Sequence, residues 1–312
     1  MEKEKIILQT HNLTMKFGNF TALDNVNLTL YEKHIYGFIG ENGAGKTTLM
    51  RILTGLLYPV SGTFTLFGKN GNCEIEHARR LIGSTIEAPA LYPNYTAYQN
   101  LELQRILVGN PNKSICDEML RLMDLYEVRN KKVHKFSMGM KQRLSIALAL
   151  VGKPRFLILD EPINGLDPKY IAALRGILKR LNEEQNITLF LSSHILNELY
   201  LLATDYIIIH GGKIVDTLTH EELDMKCRKY IRIKADNIPK CLMVLERELK
   251  SSDYKVMGDN VIHLYSHLDK ISEVSTALMK NNIAVTELSM SEQNLEEYFL
   301  AVIGGGKNDE PA

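Results

Sequence analysis

The sequence predicts an α/β fold: a parallel-sheet domain carrying an inserted helical subdomain, followed by a small C-terminal α+β unit of ferredoxin-like order. Three observations lead there. A short apolar run, Ile35–Ile39, reads as a buried strand and opens directly into the glycine-rich stretch Gly40–Thr48. A second run, Arg155-Phe-Leu-Ile-Leu159, has the continuous hydrophobicity of a strand buried on both faces and ends in two carboxylates, Asp160 and Glu161. Beyond His220-Glu-Glu the pattern changes to short alternating strands and amphipathic helices.

The stretch Gly40-Glu-Asn-Gly-Ala-Gly-Lys-Thr-Thr48 has the spacing of a phosphate-binding loop (P-loop) and precedes Leu49–Leu53, which has helix-forming character. Glycines let the chain wrap a phosphate so that successive backbone N–H groups point inward. The positive end of the following helix adds to that attraction. Lys46 would bridge the β- and γ-phosphates, and the Thr47 hydroxyl would ligate Mg²⁺. The candidate nucleotide contacts are therefore Asn42, Gly43, Ala44, Gly45, Lys46, Thr47 and Thr48. The chain is expected to bind a nucleoside triphosphate.

Bulk properties narrow the class. A chain of 312 residues is long for one domain, so one large and one smaller domain are expected. Lys+Arg and Asp+Glu both number 37, which offers no basic face to a nucleic acid. Cys73, Cys116, Cys227 and Cys241 are scattered without metal-ligand spacing, as suits reduced thiols in a cytosol. The charged start, Met1-Glu-Lys-Glu-Lys5, does not read as a signal peptide. No apolar stretch reaches bilayer-spanning length, and even Leu199–Ile209 is broken by Thr204 and Asp205.

At the end of the second strand, Asp160 can hold the Mg²⁺ shell through water. Glu161 can act as general base on the water attacking the γ-phosphate. Strand alternation is expected to send these two side chains different ways. An apolar run ending in Asp-Glu also suits a strand simply leaving the core; the glycine loop upstream is what favours the catalytic reading.

The intervening and following residues identify a family. Phe136-Ser-Met-Gly-Met-Lys-Gln-Arg143 precedes the helical run Leu144–Val151. Asn164-Gly-Leu-Asp-Pro168 follows the carboxylates, and Ser192-Ser-His194 ends the strand Ile187–Leu191. In this order the chain resembles the ATP-binding cassette (ABC) ATPases over roughly residues 6–220. The resemblance implies a P-loop ABC-type nucleotide-binding domain that binds ATP with Mg²⁺ and hydrolyses it. It implies that two copies sandwich two ATP molecules head to tail. Ser137 and Gly139 of one copy would then meet the γ-phosphate held by Lys46 of the other, with Asp167 beside them. His194 would hydrogen-bond that phosphate. An aromatic in Leu13-Thr-Met-Lys-Phe-Gly18 stacks on adenine in this family, which makes Phe17 the candidate and Phe20 its substitute. The alternative is that Phe17 packs into its sheet.

Two departures from the family pattern carry information. Met138 and Met140 stand where the signature usually has glycine and glutamine, while Ser137 and Gly139 are kept. Glu87, in Leu81-Ile-Gly-Ser-Thr-Ile-Glu-Ala-Pro89, stands where most cassettes carry glutamine, near the metal and attacking water. With the Ser-Met-Gly-Met-Lys-Gln-Arg signature this resembles the bacitracin and lantibiotic self-protection ATPases. Glu87 is therefore a candidate catalytic and metal-site residue, and ordinary drift at a coupling loop is the alternative.

In the tail, Lys226–Tyr230 reads as a basic linker and Tyr230–Ala235 as a strand. Lys240–Leu249 follows as an amphipathic helix, and Asp253–Met257 with Asn260–Tyr265 as a hairpin around Gly258-Asp259. Asp269–Met279 is helical, Ile283–Leu288 a strand, and Ser289 with Glu292 resembles a capping box before a helix from Gln293 to Ile303. The order β-α-β-β-α-β-α is ferredoxin-like. The expected organisation is an ATPase domain over residues 1–225, with the helical subdomain at about 86–150, then an accessory domain over 226–303 and a disordered tail at 304–312.

The function expected from the resemblance is to power a separate integral membrane permease from the inner face of the cell membrane, moving a peptide antibiotic of the bacitracin or lantibiotic type. The rival is a soluble cassette protein of translation, DNA repair or cluster assembly. Translation-type members carry two cassettes and repair-type members long coiled coils, and neither feature is present here. A GTPase is disfavoured because Asn130-Lys-Lys-Val133 lacks the aspartate that guanine recognition needs.

Overall fold

The computed structural model describes residues 4–87, 90–292 and 295–304. The chain divides into two compact units, residues 1–220 and 221–312. The expected boundary at residue 225 falls inside a helix, residues 220–226, at whose start this division lies.

The first unit opens with a long hairpin, β1 (Ile6–Phe17) and β2 (Phe20–Tyr31). Strand β3 (Ile35–Ile39) is buried at every position and leads through the glycine loop into α1 (Lys46–Thr54). Strand β4 (Ser61–Leu66) returns antiparallel to β1, completing a three-stranded sheet of order β2-β1-β4. Helix α2 (Asn72–Arg79) and strand β5 (Ile82–Thr85) follow.

The inserted helices are α3 (Ala97–Leu107), α4 (Ser114–Leu122) and α5 (Met138–Leu150), with 3-10 turns at Tyr126–Val128 and Val133–Lys135. A capping box starts α3: the Thr96 hydroxyl accepts from Gln99 N and the Gln99 side chain accepts from Thr96 N. Helix α5 starts earlier than the expected Leu144, because Ser137 caps it by accepting a hydrogen bond from Met140 N at 3.3 Å.

The chain then re-enters the core through β6 (Phe156–Leu159), α6 (Pro168–Gln185), β7 (Thr188–Ser193), α7 (Leu196–Tyr200), β8 (Asp205–His210) and β9 (Lys213–Thr219). These strands form a six-stranded sheet of order β5-β6-β7-β3-β8-β9, parallel except for the last pair. Phe38 and Phe190, on neighbouring strands, stack at 4.9 Å in its core. This order places the C-terminal ends of β3, β6 and β7 side by side, and ligands bind at that edge of open α/β sheets.

The second unit contains most of α8 (His220–Lys226), then β10 (Lys229–Ala235), α9 (Ile238–Arg247), β11 (Tyr254–Met257), β12 (Val261–Leu264), α10 (Ile271–Lys280), β13 (Val285–Glu292) and α11 (Leu295–Ile303). Its antiparallel sheet has the order β11-β12-β10-β13, the ferredoxin-like arrangement. Ile231, Ile233, Leu245, Ile262, Leu264 and Leu278 form its core.

Two local expectations are corrected here. Only Cys227 and Arg228 separate α8 from β10, so no linker of the expected length exists. Ser289 lies inside β13 opposite Arg232 rather than capping a helix, because pairing with β10 outweighs the local capping signal. The hairpin turns through residues 258–260, which include the expected Gly258 and Asp259, with Asp259 and Asn260 at φ 57° and 59°. Gln293, Asn294 and residues 305–312 of the expected tail lie outside the described residues, as do Ala88 and Pro89.

Candidate functional site

The glycine loop joins β3 to α1 through backbone shapes that few residues tolerate. Gly45 has φ 111°, and a Cβ there would lie 2.6 Å from the carbonyl oxygen of Ala22, so a side chain is excluded by backbone as well as by torsion. Asn42 and Gly43 form the exposed crest of the loop, and Ala44 is buried, its N–H bonded to Glu41 O at 3.1 Å. Lys46 opens α1 and is 6% exposed; its ammonium donates to Gly40 O at 2.6 Å and Glu41 O at 3.2 Å. Thr47 and Thr48 follow in the first turn, half-buried.

Four side chains from β6 and β7 converge on that turn. The Thr47 hydroxyl donates to Asp160 Oδ2 at 2.8 Å. The Ser192 hydroxyl donates to Asp160 Oδ1 at 2.5 Å and accepts from Glu161 N at 2.8 Å. Glu161 Oε1 lies 3.7 Å from Lys46 Nζ, and Glu161 Oε2 lies 2.9 Å from His194 Nδ1. Asp160 is only 7% exposed and the Glu161 side chain 24%, so one carboxylate is embedded and the other partly open to solvent.

The divergence of those carboxylates has a different origin from the one expected. Strand β6 ends at Leu159, and Glu161 sits at φ 48°, in the left-handed region. A sharp turn, rather than strand alternation, swings its side chain toward His194. Backbone strain of this kind costs about 1–3 kcal/mol and concentrates at functional sites. The Ser192 bond to the Glu161 N–H holds the turn in place.

The donor set fits a Mg²⁺-bound nucleoside triphosphate. Mg²⁺ retains several waters and needs only one or two protein carboxylates beside substrate phosphates. The Thr47–Asp160 pair supplies a hydroxyl and one buried carboxylate at the helix N-terminus. Consistently, among the described residues no cluster of three His, Cys, Asp or Glu could hold a metal unaided.

Other sequence-predicted residues lie apart from this cluster. Ser137 caps α5, and Asp167 stands at the start of α6 without a side-chain capping bond, with Pro168 at the first helical position. Gly139 is buried against the loop before α6. Phe17 and Phe20 face each other across the β1–β2 hairpin, 45% and 60% exposed, so Phe17 does not pack into its sheet and is free to stack. The Glu87 carboxylate pairs with the Arg51 guanidinium of α1. Glu87 itself has φ 63°, a turn that directs its side chain to that helix.

Sequence reasoning missed two participants. Ser192 carries the bonds that fix both Asp160 and the Glu161 backbone; its signal was a pair of small polar residues closing an otherwise apolar strand. Arg51 had no local signal, since a basic residue late in a helix reads as a favourable dipole partner.

Comparison with known proteins agrees with this geometry. The family model described as "ABC transporter" matches residues 23–164. The bacitracin transport ATP-binding protein BcrA of Bacillus licheniformis is 41% identical over 300 residues, covering 96% of this chain and 98% of that protein. The lantibiotic transport ATP-binding protein SrtF of Streptococcus pyogenes is 41% identical over 209 residues, 67% of this chain and 89% of that protein. Among solved structures, the dimeric post-hydrolysis state of the ATP-binding cassette MJ0796 bound to ADP and Pi matches with TM-score 0.63 and 27% identity, covering 69% of this chain and 99% of that one. With the P-loop, the carboxylate pair and the switch histidine gathered in one place, and with this likeness along nearly its whole length, the chain belongs to the ATP-binding proteins of ABC transporters and is an ATPase.

Proposed function

We propose that this ATPase drives a membrane permease that moves a peptide antibiotic of the bacitracin or lantibiotic class, working as a pair of copies at the inner face of the cell membrane. The observation that supports the chemistry is the convergence of Lys46, Thr47, Asp160, Glu161 and His194 at the start of α1. Lys46 binds the β- and γ-phosphates, and Thr47 with Asp160 would hold Mg²⁺, which would supply charge neutralisation at the phosphates. Glu161 takes the proton of the attacking water. His194 orients Glu161 and hydrogen-bonds the γ-phosphate. Phe17, exposed at its hairpin tip, stacks on adenine.

Ser137, Gly139 and Asp167 complete the nucleotide site of a second copy, in keeping with their places at the starts of α5 and α6. Among the described residues no helix is long and apolar enough to cross a membrane, so spanning falls to the permease. Glu87, held by Arg51, serves near the metal site as the link between the nucleotide helix and the permease.

The cargo assignment rests on the 41% identity to BcrA over 96% of this chain. The test is expression with its co-purified permease in a sensitive host. Tolerance to bacitracin or a lantibiotic rises, and the gain disappears with Glu161→Gln. No shift across a panel of such peptides, with a different solute moved, overturns the assignment.

A further inference from the structure

Three contacts bind the start of α5 to the segment that follows Glu161. Gly139 lies so close to that segment that a Cβ there would stand 3.3 Å from Leu166 Cδ2 and 3.9 Å from Tyr170 Cδ2. The Met138 methyl lies 3.7 Å from where a Cβ would project at Gly165. One turn further along, Arg143 places its guanidinium over the Tyr170 ring, 5.0 Å from the centroid. Gly139 and Arg143 are spaced i, i+4, so one face of α5 meets Tyr170 twice.

Arg143 is unusually dependent on that ring. It is 6% exposed, and its Nη1 donates to Met123 O at 2.9 Å, Asp124 O at 3.2 Å and Asp124 Oδ2 at 3.3 Å. Its buried Nε has no hydrogen-bond partner among the described residues. The face of a buried cation with unused donors is therefore covered by an aromatic ring, the setting in which a cation–π contact is strongest. Through Nη1 the same guanidinium grips the chain just past α4. Arg143 thus joins three segments: the end of α4, the signature helix α5 and the first turn of α6.

We infer that Tyr170 is a positioning residue: its ring clamps Arg143 and Gly139 so that Ser137, at the start of α5, and Asp167, at the start of α6, are presented as one rigid block. The inference rests on the reading that these two residues complete the nucleotide site of a second copy. Tyr170 acts by fixing the mutual position of two helix N-termini, and a lone displacement of either would misalign one of the two groups.

The test uses the purified full chain with Tyr170→Leu, Tyr170→Phe and Ser137→Arg, measuring kcat, KM for ATP and ATP binding. Tyr170→Leu keeps apolar bulk but removes the ring face, and kcat falls about ten-fold while KM and ATP binding stay within about two-fold, since the Lys46 cluster is untouched. Tyr170→Phe restores wild-type kcat, because the ring rather than the hydroxyl makes the contact. Should Tyr170→Leu fail to fold, Arg143→Gln takes its place: the cation is lost, an amide donor remains for Met123 O, and the same selective fall in kcat follows. Wild-type kcat in Tyr170→Leu or Arg143→Gln overturns the inference, as does an equal loss in Tyr170→Phe. Ser137→Arg separates the two layers: if it leaves turnover intact, the second-copy reading itself fails; if it abolishes turnover while Tyr170→Leu does not lower it, only the positioning role fails.

Discussion

Replacing Ser192 with alanine removes one oxygen that makes two buried hydrogen bonds. Ser192 is fully buried, and its hydroxyl is 2.5 Å from Asp160 Oδ1 and 2.8 Å from Glu161 N. Loss of a hydrogen bond to a charged group costs about 1.5–3 kcal/mol, and a buried N–H left without a partner costs about 1–3 kcal/mol. Asp160 keeps its Thr47 bond, so the combined loss falls at about 2–4 kcal/mol. For a unit of this size 1 kcal/mol moves the melting temperature by about 2–4 °C, giving a drop of roughly 5–15 °C. The neighbouring Ser193 is the internal control. It is also buried but makes a single bond, accepting from Ile195 N at 2.9 Å, so Ser193→Ala loses about 1 kcal/mol. Differential scanning fluorimetry of both variants, paired with steady-state ATP hydrolysis, gives the comparison. Turnover of Ser192→Ala falls as well, because the Glu161 backbone N–H loses the hydroxyl that holds its turn. A melting shift no larger than that of Ser193→Ala, with normal turnover, refutes the reasoning.

Three further outcomes follow from other parts of the structure. Gly45→Ala forces a Cβ to within 2.6 Å of Ala22 O at φ 111°, so ATP affinity measured by calorimetry falls more than about ten-fold; an unchanged affinity contradicts the loop geometry. Glu87→Gln exchanges the ion pair with Arg51 for a neutral contact, and since the pair is partly exposed its stability effect stays within about 1 kcal/mol. ATP binding is retained and coupling to transport changes, so a variant that loses ATP binding argues for a direct place at the metal. His34 reports on pH: its hydrogen bond to Asp205, 2.7 Å long and opposed in part by burial, raises its pKa above the ordinary 6.5. Its contribution to stability is therefore complete below pH 6.5 and disappears as pH rises through the higher folded-state value. His34→Gln flattens the melting-temperature profile above pH 6.5, and an unaltered profile removes His34 as its cause.

How much of this was legible in the sequence differs by kind of signal. The glycine loop, the carboxylate strand and the switch histidine were readable because each is a short run of residue types that phosphate chemistry demands at fixed spacing, on strands that are buried at every position. The ferredoxin-like order of the second unit was readable from alternation and amphipathicity. Long-range pairings were not. Nothing local tells that Glu87 meets Arg51, 36 residues earlier, or that Ser192 holds Asp160 from 32 residues away. Ser289 shows the converse, a local capping signal overridden by a strand partner remote in sequence. The direction of Glu161 depends on a left-handed turn at a non-glycine residue, which no propensity anticipates.

The most direct test of the central claim is the turnover of Glu161→Gln in the purified full chain. Glu161 lies between Lys46, at 3.7 Å, and His194, at 2.9 Å, where it can take a proton from water beside the γ-phosphate. Glutamine keeps the shape and removes the base, so ATP hydrolysis drops by about 10²–10⁴-fold. ATP binding persists, and the variant accumulates as an ATP-bound dimer on size-exclusion chromatography. Hydrolysis at the wild-type rate, with the chain eluting as a monomer in ATP, contradicts the account.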